Sequence, residues 1–220
     1  MPRLPAFILL LVLGSVPGGL TGQETGAGAA GQRVVLPRDQ EIALARSAAP
    51  PAFARNARVW VFTGTRYVVG EAGTSGVACY VGRSWPESLE PHCFDPEGAA
   101  TILPIEIRRV ELRTAGKDSA EVDRDIAAAL AAGRFRLPRR PALSYMLSSG
   151  QRLISDDGKP VGSWRPHIMI YYPYLVASDV GLEGDPDLRG AVLVDAGRPT
   201  ASLMIVVPKF IDPEPPQSRP

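Results

Sequence analysis

Apolar positions recur along this chain in two rhythms, one close to the helical period and one alternating. Asp39 to Ser47 (DQEIALARS) sets Ile42, Leu44 and Ala45 among strong helix formers, and Pro50-Pro51 stops the run, so a short helix is predicted. Arg58 to Thr63 (RVWVFT) is β-branched and aromatic, and a glycine turn leads from it into Tyr67-Val68-Val69, the pattern of a hairpin. Gly76 to Val81 (GVACYV) reads as a third strand, with a partner near Pro91 to Phe94. At residue 104 the period changes. Pro104 suits a first helical position, and Leu103, Ile107 and Val110 follow at spacings of four and three, which predicts a helix to about Thr114. Alternation in IEIRRVEL competes as a strand.

A second helix is marked more sharply. Asp118 with Glu121 three places on resembles a capping box, Val122, Ile126, Ala129 and Leu130 share one face, and Gly133 supplies a terminating glycine. The remainder reads as strands: Ala142 to Leu147 and Gln151 to Ile154 across a glycine turn, Trp164 to Tyr172 after a turn at Asp156-Asp157-Gly158, and a hairpin of Ala191 to Asp195 with Ala201 to Val207. Strands before and after a helical pair, joined by short links, predict an α+β domain on a mostly antiparallel sheet with the pair inserted between strand groups.

The ends of the chain break both rhythms. Arg3 precedes an apolar run from Ala6 to Leu13 and then small residues, the make-up of an export signal over residues 1–22. The run is shorter than the roughly 20 apolar residues of a membrane span, so no stable membrane insertion is expected after cleavage. Residues 23–37 are rich in Gly and Ala and read as a disordered linker, residues 38–209 as one globular domain, and the proline-dense 210–220 as a disordered tail. Export implies a periplasmic or extracellular location.

Charge narrows the partners. The chain carries 24 basic and 23 acidic residues, and only Arg3 falls within the signal, leaving 24 − 1 = 23 against 23. Such balance argues against nucleic acid, whose binding rests on neutralised phosphates. Cys79 and Cys93 are the only cysteines and in an oxidising compartment are expected to bond to each other. A metal site of Cys79, His92, Cys93 and His167 competes, but the spacing matches no zinc ribbon or finger, so neither metal nor cofactor is expected.

Candidate chemistry centres on Pro166 to Tyr174 (PHIMIYYPY), which holds one of two histidines and three of six tyrosines. Alternation puts His167, Met169 and Tyr171 on one face and Ile168, Ile170 and Tyr172 on the other. The second face is the more apolar and is expected to look into the core, leaving His167 and Tyr171, with Tyr145, in a half-wet binding groove. A hydrolase with His167 as general base needs a nucleophile, for which Ser144, Ser148 and Ser149 are conceivable neighbours. Arg134, Arg136, Arg139 and Arg140 form a basic cluster able to take a carboxylate or phosphate. The acidic loop holding Asp179, Glu183, Asp185 and Asp187 lacks the spacing of a calcium-binding EF-hand.

Three stretches, EIALARSAAPP, GVACYVGRSWPESLEPHCFDPEG and PHIMIYYPY, together resemble a group of uncharacterised exported bacterial proteins over residues 40 to 207. The resemblance implies an envelope or secreted setting and transfers no activity, substrate or catalytic residue. The expectation is therefore an exported, non-enzymatic domain binding an envelope or extracellular ligand, with a hydrolase or a metal-binding protein as alternatives.

Overall fold

The computed structural model describes residues 32–153, 159, 165–183 and 190–211. Its strands are β1 Arg58–Phe62, β2 Tyr67–Glu71, β3 Ala78–Gly82, β4 Glu90–Phe94, β5 Ala142–Met146, β6 His167–Tyr171, β7 Ala191–Val194 and β8 Ser202–Val206. They form one sheet in the order β2-β1-β3-β4-β5-β6-β8-β7. The β1–β3 pair is parallel and the other pairs are antiparallel, so the domain is α+β on a mixed, mostly antiparallel sheet. Cys79 and Cys93 face each other across β3 and β4 and are joined by a disulfide, as expected of a lone cysteine pair in an oxidising compartment. Among the described residues no helix is long and apolar enough to cross a membrane.

Helices cover the two faces unequally. On one face, α1 (Arg38–Arg46) and the single turn α2 (Pro51–Ala54) lie over β1, β3 and β4. Ala45, Ala48, Ala49 and Ala54 meet Val59, Cys79, Val81 and Cys93 there, and the small side chains let the helix backbone come close. On the other face, α3 (Pro96–Thr114) sets Ile102, Leu103 and Val110 against Tyr80, Phe94, Met146, Met169 and Tyr171. Ile105 and Leu112 on the back of α3 hold Val122 and Ile126 of α4 (Ser119–Ala131), adding a fourth layer.

Helix α3 starts earlier than the pattern predicts. Pro96 occupies the first position that we assigned to Pro104, and the Asp95 side chain caps it by accepting from the Gly98 amide at 2.7 Å. Pro104 lies inside the helix, where it removes one backbone donor. Leu103 and Ile105 on either side of it are fully buried, on the sheet and on α4 respectively, and that packing outweighs the missing bond. The capping box at Asp118 and Glu121 forms as read, and Gly133 adopts φ +69° just past α4. Gln151 to Leu153 does not pair with β5, whose neighbours are β4 and β6; Arg152 bridges Leu89 instead. Ile154, Trp164 and the Asp156-Asp157-Gly158 turn lie outside the described residues.

The folded chain also reaches beyond both expected boundaries. Val34 donates to the Pro86 carbonyl at 3.0 Å, Arg33 Nε to the Arg83 carbonyl at 3.0 Å, and Arg83 Nε to the Val34 carbonyl at 2.7 Å. Residues 33 and 34 are thus part of the domain and not of a linker. At the other end Ile211 donates to Leu147 at 2.6 Å, which extends order past residue 209.

Beneath the N-terminal strap lies an ion pair sealed from water. Arg83 reaches Glu41 of α1 through two bonds, Nη2 to Oε2 at 2.8 Å and Nη1 to Oε1 at 3.0 Å, and both side chains are fully buried. Glu41 Oε1 also accepts from the Phe62 amide at 2.9 Å, Arg83 Nη1 donates to the Val81 carbonyl at 2.7 Å, and the guanidinium lies 4.8 Å from the Phe62 ring centre. Removing one partner strands a buried charge. We expect Glu41→Ala or Arg83→Ala to lower stability by about 3–5 kcal/mol in urea unfolding, and Glu41→Leu with Arg83→Met to recover most of that loss. A single substitution with an effect below about 1 kcal/mol contradicts this account.

Candidate functional site

Strand register gathers the soft and titratable side chains of the sheet on the face beneath α3. In β3 and β4, Tyr80 pairs with His92; the antiparallel register that pairs Cys93 with Tyr145 then brings His92 level with Met146; and Met146 pairs with His167. Farther along the same face, Ser144 pairs with Met169, Met169 with Met204, and Tyr171 with Ser202. Both histidines of the chain and three of its four methionines therefore share one face of four adjacent strands.

The faces of β6 are the reverse of the sequence expectation. His167 is 1 % exposed and Tyr171 5 %, whereas Ile168 and Ile170 are half-buried and Tyr172 is 55 % exposed. The reason is where the helices land: α3 packs on the sheet face that carries Met169 and Tyr171, while α1 packs chiefly over β1 to β4 on the other. Alternation placed the residues on faces correctly but could not show which face receives a helix. Tyr145 lies on the opposite face from His167 and Tyr171, packed edge-on against Phe53 at 4.9 Å between ring centres. No groove brings all three together.

His167 is held from both ring nitrogens. Nδ1 lies 2.7 Å from the Arg165 carbonyl, and since a carbonyl can only accept, this nitrogen carries the proton. Nε2 then presents its lone pair to the Met146 thioether at 2.9 Å. A thioether has no proton to give up, so the contact does not build a nucleophile and base. Ser148, one of the expected partners, is instead bonded to Ser47 at 2.6 Å. His92 stacks on Phe94 with ring centres 5.7 Å apart, and its buried Nδ1 has no partner among the described residues. Burial, reinforced by nearby His167, lowers the His92 pKa to about 3; burial also lowers that of His167 against the opposing Arg165 bond.

One side of α3 carries a polar stripe that the sequence reading missed. Glu106, Arg109 and Arg113 lie three and four residues apart on α3 and so share one side of it. Arg109 donates to the Thr200 hydroxyl at 2.9 Å and pairs with Glu106 at 3.2 Å and Asp195 at 3.6 Å. Asp195 turns the β7–β8 hairpin at φ +52°, a conformation that Asp tolerates better than most residues, and its carboxylate accepts from Thr200 at 3.1 Å. Although 23 % of the Glu106 side chain still meets solvent, the atoms packed round it raise its pKa; Arg109 opposes that rise and Asp195 adds to it. Burial likewise pushes Tyr80 and Tyr171 upward, with Glu106 adding to both. The signal in the sequence was within IEIRRVEL, where Glu106 and Arg109 fall together on one helix side, opposite Arg108 and Glu111.

Unpaired polar atoms remain on α3 and on the strands it faces. Arg113 Nε, Ser144 Oγ and Ser202 Oγ are buried without a hydrogen-bond partner among the described residues. The Ser144 hydroxyl also lies near enough to the Tyr171 phenol to moderate its shift.

The remaining candidates sit elsewhere. Arg134, Arg136, Arg139 and Arg140 are exposed on the segment entering β5 at Ala142, at the far end of that strand from Met146 and His167. The Arg139 amide donates to Glu97 at 3.0 Å and Arg140 pairs with Glu97 at 3.4 Å, so part of the cluster anchors the start of α3. Asp179 accepts from the Val176 amide at 3.0 Å, while Asp185 and Asp187 lie outside the described residues. Among the described residues no three His, Cys, Asp or Glu side chains are grouped to hold a metal ion. Comparison with protein-family models, with curated proteins and with solved structures finds no match for this chain.

The neutral imidazoles make the fold sensitive to acid. The unfolded chain protonates histidine near pH 6.5, whereas folded His92 resists to about pH 3. As the pH falls below about 6.5 the unfolded state gains protons that the folded state refuses, so stability is lost at about 1.4 kcal/mol per pH unit for each such histidine. Glu106 acts in the opposite sense, because its raised folded pKa adds stability as the pH falls through it. With two histidines against one carboxyl, urea midpoints are expected to drop from pH 7 to pH 5, and His92→Phe to flatten the slope. An unchanged slope in that variant contradicts the assignment.

Proposed function

We propose that this chain is an exported, non-enzymatic domain that binds a small polar ligand of the envelope or extracellular medium in the space between α3 and β5, β6 and β8. One observation carries the reading: Ser144 and Ser202, on the sheet face that α3 packs against, keep buried hydroxyls without a partner among the described residues. Buried polar groups are nearly always satisfied, and leaving one unpaired costs about 1–3 kcal/mol. A site that keeps several needs something to bind them, and Arg109 and Asp195 at the open side offer both signs of charge to orient it. The disulfide supports export, since such bonds persist in oxidising compartments. The exposed arginines at the start of β5 form a second, basic surface. The hydrolase alternative draws less support, because His167 Nε2 meets a thioether where a base would meet a hydroxyl.

The two serines supply the test. In the ligand-free protein Ser144→Ala and Ser202→Ala are expected to leave the unfolding free energy unchanged or to raise it by up to about 1 kcal/mol, because each removes an unsatisfied hydroxyl. In thermal-shift measurements against small carboxylates and phosphates, the same variants are expected to show a smaller rise in Tm than the parent. Loss of more than about 1 kcal/mol in both variants shows that the hydroxyls are satisfied within the fold and overturns the reading.

A further inference from the structure

We propose that His92, Met146 and His167 form a binding site for a soft monovalent metal ion, Cu(I), with Met169 and Met204 beside it as further thioether donors. The residues stand on adjacent strands β4, β5 and β6, on one face, with Met146 between the two imidazoles. The Arg165 carbonyl fixes the His167 proton on Nδ1, which is how a metal-binding histidine is commonly oriented from outside the coordination sphere. Nε2 is thereby turned, lone pair first, toward the sulfur of Met146 at 2.9 Å. Two electron-pair donors facing each other gain little from mutual contact and much from a cation between them. His92 stands level with Met146 on the neighbouring strand; the residue is 8 % exposed, and its buried Nδ1 has no partner among the described residues.

Donor type selects the ion. Thioether sulfur is a soft ligand that favours Cu(I), and imidazole accepts copper readily, whereas Ca²⁺, Mg²⁺ and Mn²⁺ prefer oxygen. Zn²⁺ is ordinarily held by thiolate, imidazole or carboxylate; here both thiols are spent in the disulfide. Neutral imidazoles need lose no proton before binding, so acid competes only weakly. Met146 has the torsional freedom to open its contact with His167 around an ion. Val206, opposite His167 on β8, is half-buried. The alternative role for these methionines is to fill gaps in the core, and that role does not by itself orient a histidine lone pair toward sulfur.

The experiment uses the full, oxidised chain under anaerobic conditions. Cu(I) is titrated in competition with a chromogenic Cu(I) chelator, and Ag(I), which does not change oxidation state, is followed through the methionine methyl and imidazole NMR signals. One equivalent is expected to bind, shifting the Met146 methyl and the His167 ring. Met146→Leu, which conserves volume and should fold normally, is expected to weaken binding at least tenfold. Failure to compete with the chelator, absence of shifts at Met146 and His167, or wild-type affinity in Met146→Leu each overturns the proposal. Should Met146→Leu fail to fold, the signals of the parent protein decide alone. Ser144 and Ser202, on which the polar-ligand reading rests, are not among these donors, so a negative result leaves that reading standing.

Discussion

A carboxylate and a guanidinium facing each other with no water between them fix how this molecule is layered. Removing two charges from solvent is expensive, and attraction inside the protein repays it only when the remaining polar atoms are bonded as well. Glu41 and Arg83 meet that condition through the Phe62 amide and the Val81 carbonyl, with the strap at Val34 accepting from the same guanidinium. The value of such a pair lies in having one acceptable geometry. It holds α1 over β1, β3 and β4, and thereby leaves Ile168, Ile170, Leu203 and Ile205 on the same face half-buried. The asymmetry that follows, with α3 and α4 stacked on the opposite side, makes the space under α3 the deep part of the molecule.

Much of this fold was legible in local chemistry. The disulfide followed from two cysteines and a compartment, the capping box from Asp118 and Glu121, and the hairpins from glycine turns between β-branched runs, because each depends on neighbours in the chain or on a short loop. What escaped was set at a distance. The start of α3 depended on Asp95, which caps its own helix and also accepts from the Leu143 amide at 3.1 Å, forty-eight residues on. The outward face of β6 depended on where α1 stops. Neither quantity is written in the five residues of a strand.

The candidate site divides in the same way. His167, Met169 and Tyr171 were placed together correctly, since a period of two is a property of the strand alone. Their burial was misjudged, because an imidazole and a phenol look polar until something supplies their partners. His92 drew attention for its position beside Cys93, but its alignment with Met146 required the β4–β5 register, which links segments some fifty residues apart. Glu106 and Arg109 drew no reading beyond the helix-or-strand question over IEIRRVEL; the partners of Arg109, Asp195 and Thr200, lie some ninety residues away.

The position of Glu41 has a consequence for the order of assembly. Its guanidinium arrives forty-two residues later in the chain, and a lone carboxylate gains nothing by leaving water early. The first helix is therefore bound to be a late arrival, waiting in solvent until the third strand and the bend after it exist. Closing so long a loop is slow compared with zipping a neighbouring hairpin, so a hairpin such as β1–β2 has no need to wait for the alanine-rich cover.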